Sequence, residues 1–325
     1  MTSAGARSAS GEAESPARLV PRLPPPVRPG DRVGVAALSG PADGQRLEAG
    51  LDALAGLGFE PVPAANLRRR DGLFAGGDDE RLQGFHDLAA DPEIAAILFL
   101  RGGYGLLRLL PRLDWELVAR RPRAYVGYSD LTPFLLEAVR RTGVVAFHGP
   151  MVAADLARGL DAGEEASLLA ALAGELPREL PVSLAEEDRQ RPAVGGPLLG
   201  GCLSMLTSTL GTPYAPDFDG AVVFVEDVAE PLYRLDRMLT HLKLSGRLTA
   251  IRAMIFGHLG CLDAPHPDPA ACVAPLRQGL AEFPWPVAWG LAAGHGSPNH
   301  TLPLGLPCRL DPQRGTLSLG EEERR

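Results

Sequence analysis

Short apolar runs in the first half of the chain alternate with segments of helical period. Val33-Gly34-Val35-Ala36-Ala37-Leu38, Ile94-Ala95-Ala96-Ile97-Leu98-Phe99-Leu100, the approach Tyr125-Val126 and Val144-Val145-Ala146-Phe147 read as strands, and residues 59–63 as a shorter one. Runs apolar on both faces suit strands covered from both sides, the condition of a parallel sheet between helical layers. The intervening helices carry Leu47, Leu51, Leu54 and Ala55 up to Gly56 and Gly58, occupy residues 78–90, and carry Leu131, Phe134, Leu135, Ala138 and Val139 up to Gly143. The expected class is α/β.

In such sheets ligands lie beyond the carboxyl ends of the strands. Three strand ends carry chemistry. Leu100 runs into Arg101-Gly102-Gly103-Tyr104-Gly105, Val126 into Gly127-Tyr128-Ser129-Asp130, and Phe147 into His148-Gly149-Pro150-Met151. Strand, tight turn, serine, helix is the geometry of a nucleophile elbow, which lifts a hydroxyl clear of the sheet and points the following N–H at a developing oxyanion. A serine or aspartate before a helix is equally an ordinary N-cap, and the second glycine of the usual elbow is replaced here by Leu131. The glycine run lacks the Gly-Lys-Ser/Thr ending of a P-loop and the spacing of a dinucleotide fingerprint. It can bring a second N–H to the substrate of Ser129, or simply make a tight turn.

Residues 175–190 turn charged and proline-punctuated, as a connection between two halves does. The second half opens on Gly195-Gly196-Pro197-Leu198-Leu199-Gly200-Gly201-Cys202. It continues through the apolar strand Ala221-Val222-Val223-Phe224-Val225, which delivers Glu226-Asp227 to its end, a helix over 232–244, and the strand Ala253-Met254-Ile255-Phe256. A serine nucleophile needs a base, and the base an orienting carboxylate. Of seven histidines, His295 stands between Gly294 and Gly296, free to project from a loop, with His148 as second choice. Glu226 at a buried strand end is better fixed than Asp227 or Glu230.

Forty acidic and 32 basic residues leave a charge of -8 with no basic stripe, so nucleic acid is not an expected partner. Residues 1–27 are expected to be a disordered leader without a signal-peptide core, and no run is long enough to span a bilayer, which places the protein in the cytoplasm. Cys202, Cys261, Cys272 and Cys308 form no Cys-x-x-Cys pair and are expected to stay reduced. His258, Cys261, His266 and Cys272 match no common zinc spacing and are expected to form a surface loop. No metal is expected.

Taken together, Arg101-Gly102-Gly103-Tyr104-Gly105 with Arg108-Leu109-Leu110, Gly127-Tyr128-Ser129-Asp130, Phe147-His148-Gly149-Pro150-Met151, Gly211-Thr212-Pro213-Tyr214, Glu226-Asp227 through Tyr233-Arg234-Leu235-Asp236-Arg237, and Gly294-His295-Gly296 with Asn299 make a pattern. Over residues 28–310 the chain resembles the LD-carboxypeptidases and the related microcin C immunity peptidases. The resemblance implies a flavodoxin-like N-terminal α/β domain at 28–175, a linker at 176–192, and a smaller mixed β/α domain at 193–320, with the active site between them. It implies a cofactor-free Ser–His–Glu peptidase with Ser129 as nucleophile, His295 as base, Glu226 as orienter, and the N–H groups of Gly103 and Asp130 as oxyanion hole. Arg101, Tyr104, His148 and the Cys202 position are implied substrate contacts. Many relatives carry Gly-Gly-Asn-Leu where this chain has Gly200-Gly201-Cys202-Leu203, so the amide contact is lost. The implied reaction removes terminal D-alanine from a murein tetrapeptide, with an aminoacyl-nucleotide amide as alternative substrate and a non-catalytic small-molecule binding protein as the third reading. A homodimer is implied. Arg234 and Arg237 join Arg101 as cations for a substrate carboxylate, or pair locally with Asp236.

Overall fold

The computed structural model describes residues 20–175, 179–262 and 269–320. The first sheet is built from β1 (Arg32–Ala36), β2 (Glu60–Pro63), β3 (Ile94–Phe99), β4 (Ala124–Gly127) and β5 (Ala146–His148), all parallel, in the order β5-β4-β3-β1-β2. This is the flavodoxin-like order, and its crevice opens where the chain leaves β1 and β3 in opposite directions. The helices between the strands are α1 (Gly44–Gly56), α2 (Asp78–Ala90), α3 (Trp115–Arg120), α4 (Thr132–Thr142) and α5 (Ala162–Ala173). Their ends follow local chemistry. The Asp43 carboxylate accepts the N–H groups of Gln45 and Arg46 at the head of α1, Asp78, Asp79 and Glu80 sit in the positive first turn of α2, and Gly143 takes the left-handed conformation that stops α4.

Each face of this sheet has its own core. On one side Phe134 of α4 meets Phe99, Tyr125 and Phe85 edge-on, with centroids 5.1, 5.2 and 5.3 Å away. On the other, Leu47 and Leu54 of α1 and Leu168 of α5 pack with Leu98, Val126 and Phe147. At about 1.5–3 kcal/mol for each large apolar side chain fully buried, these layers fix α4, and with it the turn that precedes it.

The second sheet comprises β6 (Glu179–Pro181), β7 (Ser183–Leu184), β8 (Val194–Cys202), β9 (Val222–Glu230), β10 (Ala253–Cys261), β11 (Val287–Trp289), β13 (Pro307–Asp311) and β14 (Thr316–Leu319). Helices α6 (Glu186–Arg189), α7 (Leu203–Ser208), α8 (Leu232–Leu244) and α9 (Pro269–Gly279) complete this half. Leu235, Leu239 and Leu242 of α8 cover Val223, Val225, Met254 and Phe256 on one face. Leu198, Phe224 and Ile255 on the opposite face share one buried cluster with Phe134 and Leu131, so the two halves meet through an apolar seam along α4.

Three expectations change. The stretch at 176–192 is more than a connection, because β6 and β7 lie within it. Both are edge strands of two or three residues, and only Leu180 and Leu184 are buried in them, too short an alternation to stand out among charges and prolines. Residues 22–27 are not disordered as expected, since Arg22 exchanges hydrogen bonds of 2.9 Å with Gly143 and Val145, and Val27 is buried and donates to the Leu172 carbonyl. Residues 1–19 and His266 lie outside the described residues. Finally, β12 (Leu302–Leu304) returns from the second half to pair antiparallel with β5 at the edge of the first sheet. Among the described residues no helix is long and apolar enough to cross a membrane.

Candidate active site

At the carboxyl end of β4 the chain turns so sharply that Ser129 adopts φ 63°, a left-handed conformation that a side-chain-bearing residue rarely takes. Such backbone costs about 1–3 kcal/mol and persists where the surroundings enforce it. Here the enforcement is visible. The Asp130 carboxylate accepts the Ser39 hydroxyl at 2.6 Å and the Leu106 N–H at 2.9 Å, tying the elbow to the ends of β1 and β3 together. Burial raises the Asp130 carboxyl above its ordinary range, and these two hydrogen bonds only partly counter it. Arg81, fully buried, donates to the carbonyls of Leu38 and Gly105 and clamps the same two loops from beneath.

Ser129 Oγ lies 3.0 Å from His295 Nε2, and His295 Nδ1 lies 2.7 Å from Glu226 Oε2. The same carboxylate oxygen accepts the His295 backbone N–H at 3.0 Å. Glu226 has no exposed surface. Burial is the largest influence on both groups and opposes their ionisation, but their mutual hydrogen bond and the surrounding charges together outweigh it, holding the Glu226 carboxyl below and the His295 imidazole above their ordinary values. A neutral His295 with Nδ1–H on Glu226 leaves Nε2 open to take the Ser129 proton. The competing carboxylates are occupied elsewhere: Asp227 accepts the Ser204 and Val228 N–H groups, and Glu230 pairs with Arg234.

Gly102 approaches Ser129 so closely that a Cβ on it would stand 2.7 Å from Ser129 Oγ and 3.4 Å from the Asp130 nitrogen. The glycine run therefore reaches the elbow. Beyond it, Arg101, Gly103 and Tyr104 line an open cleft of ≈ 370 Å³ with Arg70, Leu73 and Asp43. Arg101 keeps one long hydrogen bond, 3.4 Å, to the Pro41 carbonyl, and Tyr104 is 52% exposed, tilted against Phe74.

Other expected contacts lie deeper. His148 is fully buried between the rings of Tyr128 and Phe224, and neither ring nitrogen has a partner among the described residues. Burial pushes its pKa down to about 4, so it stays neutral. Cys202 is 4% exposed, in register with Glu226 on the adjacent strand; its thiol lies 3.1 Å from the Ser204 hydroxyl, and burial pushes it well above its ordinary pKa. Arg234 pairs with Glu230, and Arg237 lies over the Tyr233 ring. Trp115 packs on Phe134 and Trp285 donates to the Leu248 carbonyl inside the second half. Among the described residues, no cluster of three His, Cys, Asp or Glu side chains could hold a metal.

Sequence reasoning missed Ser39 and the edge-on contact of Tyr128 with His295, centroids 4.8 Å apart. Ser39 follows a strand within Ser39-Gly40-Pro41 and carries only the signal of a turn.

Comparison with known proteins follows the same division. Residues 33–149 match the LD-carboxypeptidase N-terminal domain and residues 195–310 the LD-carboxypeptidase C-terminal domain. A probable murein peptide carboxypeptidase of Bacillus subtilis is 35% identical over 295 residues, covering 89% of this chain and 91% of its own length. The crystal structure of a muramoyltetrapeptide carboxypeptidase from Oxalobacter formigenes has a TM-score of 0.78 at 32% identity, covering 89% of this chain and 99% of that one. The microcin C7 self-immunity protein MccF in complex with glutamyl sulfamoyl guanosine has a TM-score of 0.82 at 26% identity, covering 93% and 99%.

Proposed function

Since this chain belongs to the LD-carboxypeptidase family, a family of serine-type carboxypeptidases, we propose that it removes the terminal D-alanine of murein tetrapeptides through Ser129, His295 and Glu226. The observation that carries this reading is the continuous row from Ser129 Oγ through His295 to Glu226, with spacings of 3.0 and 2.7 Å. Serine attacks the carbonyl of the amide between the L-centre of the diamino acid and D-alanine, and its proton passes to His295 Nε2. Negative charge on the carbonyl oxygen falls to the N–H groups of Asp130 and Gly103. The imidazolium, stabilised by Glu226, then protonates the departing amine, leaving an acyl group on Ser129. Water activated by the same histidine hydrolyses that ester and restores the serine.

The leaving D-alanine carries a carboxylate. Arg101, beside the glycine run and committed among the described residues only to one long hydrogen bond, is the cation assigned to it, with Tyr104 on the same wall of the cleft. The enzyme is assigned to the cytoplasm as a homodimer, following the resemblance of its motifs to the family.

Mass spectrometry of products from wild-type protein and Ser129→Ala, each incubated with murein tetrapeptide or with an aminoacyl-sulfamoyl adenylate, tests the reading. Loss of D-alanine by wild type alone supports it. Cleavage of the adenylate alone moves the chain to the immunity branch, whose structural neighbour MccF binds a glutamyl sulfamoyl guanosine. Inertness towards both returns the binding-protein reading.

A further inference from the structure

His295 stands in a loop whose flanking residues, Gly294 and Gly296, do little to restrain it, yet its Nε2 must stay within 3.0 Å of a serine 166 residues away. The Glu226 hydrogen bonds fix the imidazole from the second half. A separate polar chain reaches the loop from the first. The Asn299 side-chain oxygen accepts the Gly294 N–H at 2.9 Å, and the Asn299 N–H donates to Glu164 Oε1 at 2.7 Å. Arg158 holds both oxygens of that carboxylate, at 2.5 and 3.2 Å, and touches Asp155 at 3.5 Å. Asp155 in turn accepts the Tyr128 hydroxyl at 3.3 Å, and the Tyr128 ring stands edge-on to the His295 imidazole.

Local chemistry accounts for only half of Glu164. It closes a capping box with Asp161 at the head of α5, which needs one carboxylate oxygen, Oε2 at 2.9 Å from the Asp161 N–H. A capping glutamate can stay in solvent, whereas Glu164 has no exposed surface, and a buried carboxylate loses several kcal/mol of hydration unless it is paired and hydrogen-bonded. Burial would raise its pKa, but Arg158 and the N–H groups of Asp161 and Asn299 hold it below the ordinary range, so the group stays charged. Its second oxygen is spent on a loop 135 residues further along the chain. Ser167, one turn on in α5, adds a third tie by accepting the Thr301 N–H at 2.8 Å.

We infer that Glu164 is a positioning residue for the catalytic base, acting through Asn299 and the Gly294 N–H to hold His295 in line with Ser129. The inference rests on the proposed triad. Reacting groups displaced by 1 Å lose about 10²-fold in rate, so loosening this tie is expected to lower turnover without touching substrate binding. It also lengthens the His295–Glu226 bond, which draws the histidine back towards its ordinary pKa. The titratable groups facing His295 are Glu226 and Asp227 on β9, Asp155, Tyr128 and, behind, His148. The variants below leave all of them in place.

Full-length Glu164→Gln and Asn299→Ala are compared with wild type and with the exposed neighbour Glu165→Ala. The readouts are kcat and KM on a murein tetrapeptide, the pH profile, and the rate at which a fluorophosphonate labels Ser129, which needs His295 but not the natural substrate. The expected result for both variants is a kcat and labelling rate lowered about 10- to 100-fold, KM within about threefold, and an acid limb displaced to lower pH, with Glu165→Ala unchanged. A folded variant that keeps wild-type kcat, labelling rate and acid limb overturns the inference, as does a rate loss with the acid limb unmoved. If Glu164→Gln fails to fold, Asn299→Ala decides, because it leaves the Arg158–Glu164 pair intact. Ser129→Ala run alongside separates the two levels: labelling or turnover surviving in it defeats the triad itself, not only its support.

Discussion

Gly294 lies flat against Glu226: a Cβ on the glycine would come within 2.5 Å of the carboxylate oxygen hydrogen-bonded to His295 Nδ1, and within 2.8 Å of the Glu226 Cβ and Cγ. The backbone there has φ 110°, which side-chain-bearing residues avoid. Gly294→Ala must therefore push Glu226 aside or distort the loop. The expected outcome is a loss of stability of about 1–3 kcal/mol together with a fall in kcat of at least about 100-fold, measured by denaturant unfolding and steady-state kinetics.

The strained backbone of Ser129 separates chemistry from stability. Ser129→Ala and Ser129→Gly both remove the nucleophile and should lower kcat by roughly four to six orders of magnitude. Alanine keeps the cost of φ 63°, whereas glycine relieves it while losing some chain entropy. Ser129→Gly should be more stable than Ser129→Ala by up to about 1 kcal/mol, and equal unfolding midpoints would show that the elbow is not under strain.

In the proposed mechanism His295 acts as base only when neutral. Because its pairing with Glu226 raises the His295 pKa despite burial, kcat/KM should climb with pH through a value above about 6.5. Glu226→Gln removes the charge that favours imidazolium, so the acid limb should move down in pH while the plateau falls. The same pairing contributes stability that is complete below the unfolded histidine's pKa and fades as pH rises through the folded value, a contribution absent from Glu226→Gln in urea titrations across that range.

For Arg101, the discriminating variable is the end of the substrate. Arg101→Ala should reduce kcat/KM for a tetrapeptide with a free terminal carboxylate by about 10- to 100-fold, the equivalent of a charge-assisted hydrogen bond. It should change the rate on the C-terminally amidated peptide by less than about threefold. Equal losses on both peptides would assign Arg101 to holding the loop through Pro41.

What the sequence disclosed was whatever depends on neighbours in the chain. Helix α2 falls on residues 78–90 as expected, because acids at one end and periodic Leu82, Phe85 and Leu88 define it locally. Ser129 and His295 announce themselves by glycines that free the backbone around them. The edge strands β6, β7 and β12 had no such voice, because each is only two or three residues long and owes its conformation to a partner far away in sequence. His148 and Cys202 occupy motif positions that suggest contact with substrate, but only packing shows how deeply they are buried. Glu164 is the instructive case, since the capping box it makes with Asp161 is a sufficient local explanation and hides its hold on Asn299.

The placement of β12 has a consequence for the order of events on the ribosome. The elbow precedes His295 by 166 residues, and at about 5–20 residues per second the interval between their syntheses is on the order of ten to thirty seconds. Throughout that time the nascent chain carries a serine with no base beside it, and β5 presents an unpaired edge until Leu302–Leu304 arrives to cover it. The segment that closes the sheet follows the segment that arms the serine by only a few residues, so the hydrolase stays inert while its edge is open and becomes active and protected almost together.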